Sequence, residues 1–260
     1  MRITIIGSGN VATHLAAALK NAGHQIVQVY SRNTARAALL AYHVKAEPID
    51  TFERINPETD LFIIAVKDDA ISDVATRLAP LQKLTVHTSG ATDLAVLSAI
   101  VTQAGVIYPL QTFSKSREMD FSTVPLCIEG VNEEITGLLQ QLSHTISNNV
   151  YRIDSAHRKI LHLAGVFACN FPNFLYEAAR RLLAANQLEF DLLRPLILET
   201  ALKVQDNLPA AVQTGPAVRN DQQTMAAHLL LLDDEPDLKH LYEVLSQEII
   251  KNTAADTDRP

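Results

Sequence analysis

The chain has 260 residues, 47% hydrophobic and 20% charged, a composition that excludes a disordered, collagenous or coiled-coil protein and fits one large domain or two of ordinary size. Its net charge of −7 argues against nucleic acid as a main partner, because phosphate binding asks for a basic face. The charge is uneven: no acid precedes Glu47, so residues 1–46 carry +5 and the remainder −12, which points to an anion site near the start.

Residues 1–153 alternate short β-rich runs with helical stretches, the pattern of βαβ units in a parallel sheet. Strands are expected at 3–6, 26–30, 61–66, 84–87, 106–108, 126–129 and 151–153, with helices at 10–22, 34–42, 69–78, 93–100 and 133–147. The run at 61–66 is apolar throughout, as for a strand covered on both faces, and should be central. From residue 154 the strand signals stop and apolar residues recur at helical spacing. A long helix over 155–185 should kink at Pro172, which has no amide hydrogen to give. Further helices are expected at 190–207, 222–232 and 237–251. The expected fold is α/β: a doubly wound parallel sheet over 1–153, an all-α domain over 154–251 and a disordered tail over 252–260.

No apolar run approaches the roughly 18 residues of a membrane helix. Polar residues from Gly7 to His14 interrupt the apolar start, so it is not expected to be a signal sequence. Cys127 and Cys169 each sit in an apolar segment, so free buried thiols in a reducing, cytoplasmic compartment are expected rather than a disulfide.

The strongest local motif is the strand at 3–6 running into Gly7-Ser8-Gly9-Asn10-Val11-Ala12 and then a helix. In this G-x-G-x-x-A pattern the first glycine permits a tight turn, the second lets backbone approach a pyrophosphate, and the alanine allows close packing of strand and helix. An NAD site usually carries an acid at the end of the second strand, for the ribose hydroxyls. Here that place reads Ser31-Arg32-Asn33, which suits a 2′-phosphate and hence NADP. The plainer alternative is a solvated Arg32 and an Asn33 that caps the next helix.

Three later loops follow strands and so can face a ligand crevice. They contain Val66 and Lys67, Ser89, and Gln111, with Ser89 and Gln111 the preferred polar contacts. Asp69 reads better as a helix cap than a ligand, and His87 as a satisfied histidine at a strand end. In the long helix, Lys159, His162, Asn170, Asn173 and Glu177 project within about 80° of His162 at 100° per residue. Such a stripe is either a solvated side or a cleft lining; the two asparagines favour the cleft, since Asn is a poor helix former. Arg219 can clamp a substrate carboxylate, with Asp221 beside it; equally, Asp221 caps a helix and pairs with Arg219. No metal is expected: His157 and His162 are five apart and cannot share a helical face.

On these residues the chain resembles the 6-phosphogluconate-dehydrogenase-like superfamily, in which an N-terminal Rossmann domain precedes a helical one, as in pyrroline-5-carboxylate reductase, ketopantoate reductase and the deazaflavin-dependent NADP reductase. More closely, residues 7–12, Tyr108-Pro109-Leu110-Gln111-Thr112-Phe113, the stretch 162–173 and Gly215-Pro216-Ala217-Val218-Arg219-Asn220-Asp221 resemble a bacterial family that joins a Rossmann-like domain to a helical domain of unknown function. The resemblance implies an NADP-dependent oxidoreductase acting on a small molecule, and a homodimer formed through the helical domain. Ketopantoate reductase uses a helical lysine four residues before an asparagine; here Val166 and Cys169 stand in those places, so His162 or Lys159 has to supply the proton. In the enzyme reading, hydride passes to a C=O or C=N carbon held between the domains, His162 is the general acid, Asn170 and Asn173 orient the substrate, and Arg219 binds its carboxylate. The competing reading is a non-catalytic NADP(H)-binding redox sensor.

Overall fold

The computed structural model describes residues 1–257. They form two compact units, one running to Phe171 and the other beginning at Pro172. The first holds eight strands: β1 (Arg2–Ile6), β2 (Gln25–Tyr30), β3 (Glu47–Ile49), β4 (Leu61–Ile64), β5 (Leu84–His87), β6 (Ala104–Pro109), β7 (Leu126–Gly130) and β8 (Val150–Arg152). They make one sheet in the order β3-β2-β1-β4-β5-β6-β7-β8. Around it lie α1 (Asn10–Asn21), α2 (Thr34–Val44), α3 (Ile71–Leu78), α4 (Leu94–Ser98), α5 (Glu133–His144) and α6 (Ser155–Gly165).

Strand β4 is fully buried and its residues alternate between two cores. Leu61 and Ile63 join the cluster containing Leu15, Leu40 and Leu139, while Phe62 and Ile64 join that of Ile71 and Leu97. That is the period-two consequence of helices on both faces. The strand order reverses between β1 and β4, and a crevice opens beyond the carboxyl ends of strands at such a point.

Two features of the sheet depart from the expectation. Strand β3 was absent from it, being three residues with Pro48 in the middle; as an edge strand it tolerates proline. Strand β7 pairs antiparallel with β6, while every other neighbouring pair is parallel. The reason is the connection over residues 110–125, which contains only a short 3₁₀ turn and no crossover helix to bring the chain back in parallel.

The long helix is interrupted before its proline. Val166–Asn170 is a π turn, with the Phe171 amide bonded to the Val166 carbonyl; the amide that Pro172 lacks would have served Ala168 in a regular α-helix. The helix resumes as α7 (Phe171–Ala185). The contact boundary thus falls near residue 171 rather than 153, because α6 is tied to the sheet. Beyond it lie α8 (Arg194–Asp206), α9 (Gln222–Leu231) and α10 (Pro236–Thr257). The chain expected to fray from residue 252 stays helical through Thr257, since nothing before Pro260 breaks a helix; residues 258–260 lie outside the described residues. Among the described residues no helix is long and apolar enough to cross a membrane.

Candidate functional site

The glycine turn forms as its sequence dictates. At Gly7 φ is +126°, and a Cβ there would lie 2.2 Å from the Ala65 carbonyl oxygen, so β4 approaches too closely for any side chain. At Gly9 the backbone is ordinary and a Cβ would meet nothing within 4 Å. Gly9 also starts α1 without a side-chain cap, and the first turn, including Asn10 and Val11, holds no acid. The leading amides of α1 therefore lack the usual capping oxygen.

Behind the turn, Ser8 donates to Ser31 Oγ at 2.9 Å, and Ser31 Oγ also accepts the Asn33 amide at 3.2 Å. Asn33 Oδ1 caps α2 through the Arg36 amide. A crevice of about 850 Å³ runs alongside, lined by the turn, Ser31, Arg32, Asn33, Arg36, Val66, Lys67 and Arg77, with Asp50 and Glu53 among its acids. Arg77 stands over the Phe52 ring at 5.3 Å. Sequence reasoning named Arg32 alone, because Arg77 arrives from α3 with no motif spacing to announce it.

A second cavity, about 570 Å³, is lined by Tyr108, Gln111, Phe113, His162, Cys169 and Asn170 together with smaller residues. Tyr108 Oη lies 3.2 Å from His162 Nδ1, with the rings edge to face at 6.0 Å. Burial pushes the phenol up to about 12, with the Cys127 sulfur adding to the effect. It therefore remains protonated at neutral pH, able to donate to an unprotonated Nδ1 and to accept from a protonated one. A Cβ on Gly90 would come within 2.7 Å of His162 Nδ1 and 2.8 Å of Tyr108 Cζ. The sequence singled out neither Tyr108 nor Gly90 as a site residue.

The other residues singled out in the sequence are engaged within the protein to different degrees. Ser89 Oγ accepts the amides of Ala91 and Thr92 at 3.1 and 2.9 Å, closing a turn. The Ser89 amide donates to His87 Nδ1 at 3.2 Å, which leaves the proton of neutral His87 on Nε2, a buried atom without a partner, so the histidine expected to be satisfied is satisfied at one nitrogen only. Burial, helped by the Arg158 charge, lowers His87 to about 4. Asp69 sits in a 3₁₀ turn and caps nothing. Lys159 is not among the cavity residues; it pairs with Asp93 at 2.9 Å, whose other oxygen caps α4. Gln111 holds the Thr112 amide with its oxygen, leaving its NH₂ free of that bond.

Helix α6 is fixed by a residue that sequence reasoning passed over. Arg158 is fully buried, one helical turn before His162. Its guanidinium bonds Glu129, the Thr92 carbonyl at 2.6 Å and Ser155 Oγ at 3.0 Å, and Ser155 Oγ donates to Glu129. Only its Nε, itself buried, has no partner; a buried charge depends on such partners, and removing Glu129 leaves the guanidinium charge uncompensated in a low dielectric.

The segment after β6 ties the two cavities together. Gln111, Thr112 and Phe113 line the second cavity, and the next bonds go to the glycine turn. Asn10 Nδ2 donates to the Phe113 carbonyl at 2.8 Å, His14 Nε2 to that of Ser114 at 2.9 Å, and Lys115 Nζ to that of Ser8 at 2.6 Å. His14 also stacks on Phe113 at 5.1 Å.

In the helical unit, Asn173 is exposed on α7, and Glu177 is engaged by Arg180 through two bonds of 2.7 Å. The single polar face projected from Lys159 to Glu177 does not survive the π turn at Val166–Asn170, where the 100° step fails. Asp221 caps α9 by accepting the Thr224 amide and hydroxyl at 3.0 and 2.7 Å, bonds that hold its carboxyl low, with a smaller pull from Arg219. Arg219 is exposed and makes no ion pair with Asp221.

Residues 2–89 match a family model described as NADP oxidoreductase, coenzyme F420-dependent, and residues 124–249 match a domain of unknown function, DUF2520. No curated protein matches. Among solved structures, a candidate NADP oxidoreductase from Bacteroides fragilis is 43% identical over 96% of this chain and 98% of that one, with a TM-score of 0.92. An imine reductase from Myxococcus stipitatus in complex with NADP⁺ is 16% identical over 98% and 95%, TM-score 0.65. A 1-pyrroline-5-carboxylate reductase from Streptococcus pyogenes is 16% identical over 98% of each chain, TM-score 0.62. These last two share the fold. The Bacteroides protein, related along nearly its whole length, places this chain in the family of NADP oxidoreductases that join an N-terminal nucleotide-binding sheet to a DUF2520 domain.

Proposed function

We propose that the protein reduces the C=O or C=N carbon of a small substrate seated beside Tyr108 and His162, using NADPH bound along the glycine turn. The turn fits a dinucleotide: Gly9 leaves open space where a side chain would project, and the first amides of α1 lack a capping side chain and an acidic neighbour. Ser31, Arg32 and Arg36 are the groups for a 2′-phosphate, with Asn33, Val66 and Lys67 lining the same crevice. Bound there, the nicotinamide supplies the hydride.

The chain's own part is binding and proton transfer. His162 acts as general acid, giving a proton from Nε2 to the substrate oxygen or nitrogen while Tyr108 holds Nδ1. Gln111 and Asn170 orient the substrate. Lys159, spent on Asp93, is not assigned a role. The observation that carries the reading is the segment after β6, whose residues line the His162 cavity and bond the glycine turn within five positions of one another. Imine substrates have first claim in a test, since the fold is shared with an imine reductase and a pyrroline-5-carboxylate reductase.

A panel of cyclic imines and 2-oxo acids with NADPH tests the reading. Turnover is expected with at least one member. His162→Gln should lower kcat by ~10²–10⁴-fold and remove a limb of the pH–rate profile while NADPH affinity holds. An unchanged profile in His162→Gln moves the proton elsewhere. NADPH binding without turnover across the panel favours the redox-sensor reading.

Both cysteines are free, which supports a reducing cytoplasmic setting, but only Cys127 is buried as expected; Cys169, in the π turn, is exposed. We also infer a homodimer formed through the helical unit, where among the described residues only Ala178, Ala217, Met225 and Leu232 are buried hydrophobics and leucines stand open on α8 and α9.

A further inference from the structure

Lys115 reaches back 107 residues to donate to the Ser8 carbonyl at 2.6 Å. Ser8 immediately precedes Gly9, the N-cap of α1, so this ammonium lies at the end of the helix where the amide hydrogens emerge. A cation there opposes the macrodipole, whose N-terminal end is itself positive. The first turn of α1 contains no acid, and Lys115 has no ion-pair partner among the described residues. Nor is the contact needed to close the loop, because Asn10 and His14 already hold the carbonyls of Phe113 and Ser114. An ammonium has three N–H donors, and Ser8 occupies one.

We propose that Lys115 is a cofactor-binding residue whose charge and remaining N–H groups hold the dinucleotide's pyrophosphate together with the first amides of α1. This rests on the glycine turn being the pyrophosphate site, and it explains why a cation is carried to a place the helix alone disfavours. It assigns the cofactor's two phosphate groups to separate charges. The 2′-phosphate falls to the crevice beside Arg32, and the pyrophosphate to a residue delivered from beyond β6. The same strap lines the His162 cavity, so cofactor binding through Lys115 also fixes the segment that shapes the substrate's place.

Calorimetric titration of NADPH and of 2′-AMP, which has no pyrophosphate, into the parent, Lys115→Met and Lys115→Arg proteins tests the assignment. Methionine keeps most of the aliphatic stem and removes the charge. NADPH binding is expected to weaken by about 10- to 100-fold in Lys115→Met, with most of it restored in Lys115→Arg and 2′-AMP affinity unchanged in both. Unchanged NADPH affinity in Lys115→Met overturns the proposal, as does an equal loss for 2′-AMP, which marks a displaced loop instead of a missing charge. A parent protein that binds no NADPH overturns the reading of the turn itself, so the two failures are distinguishable.

Discussion

At Gly7 the positive φ and the Ala65 carbonyl 2.2 Å from any Cβ make glycine a requirement of the fold, whereas at Gly9 neither the backbone nor the surrounding atoms ask for it. The two substitutions should therefore separate. Gly7→Ala is expected to destabilise by on the order of 1–3 kcal/mol from backbone strain alone, more if β4 must move. Gly9→Val should cost only about 1 kcal/mol, the scale of an unfavourable N-cap, yet abolish NADPH binding. Urea unfolding and NADPH titration of both variants check this; a folded Gly9→Val protein that binds normally would reduce the motif to a turn. Both glycines were legible because their spacing is local. Gly90, Tyr108 and Lys115 were not, because what matters at each is a partner from a distant element: His162 for the first two and Ser8 for the third.

Strand β5 and helix α6 meet through buried polar groups, and this junction makes stability depend on pH. His87 at the end of β5 is fully buried, and its folded value of about 4 lies below the ordinary 6.5, chiefly through burial and then through the Arg158 charge. The unfolded chain therefore takes up the proton first as pH falls. Stability from this site is complete above pH 6.5 and is lost on the way down to about 4, roughly 3 kcal/mol in all. His87→Asn, whose side-chain oxygen can accept the Ser89 amide, should flatten that slope. Urea unfolding at pH 7.5, 5.5 and 4.5 measures it, and equal slopes in parent and variant would remove His87 as the cause. The junction was only half visible beforehand. Apolar runs announced β4, β5 and the helical stretches, but a buried arginine looks like any surface arginine until Glu129, Thr92 and Ser155 surround it. The π turn was equally hidden, since only the proline that follows it leaves a mark in sequence.

The unit beginning at Pro172 has helices without an adequate interior of its own. On α8, Leu196, Leu198 and Leu202 are 62%, 59% and 52% exposed, and on α9 Leu230 and Leu231 are 70% and 81% exposed. A helix apolar on more than one side is normally covered on more than one side, and each leucine withdrawn from water contributes about 1.5–3 kcal/mol. A second copy offers the same surfaces in return, which is how a twofold interface builds itself. The protein should therefore sediment near twice 28.5 kDa, and its Tm should rise with protein concentration, because association favours the folded state by mass action. Leu198 and Leu202 lie four residues apart, on one ridge of α8. Replacing both with Glu places two desolvated charges in that contact and should give a monomer with a lower Tm that no longer depends on concentration. Sedimentation velocity on parent and variant at micromolar concentration decides it: a parent protein that runs as a monomer, with a Tm indifferent to dilution, would mean these leucines are left open to water or are covered by another chain.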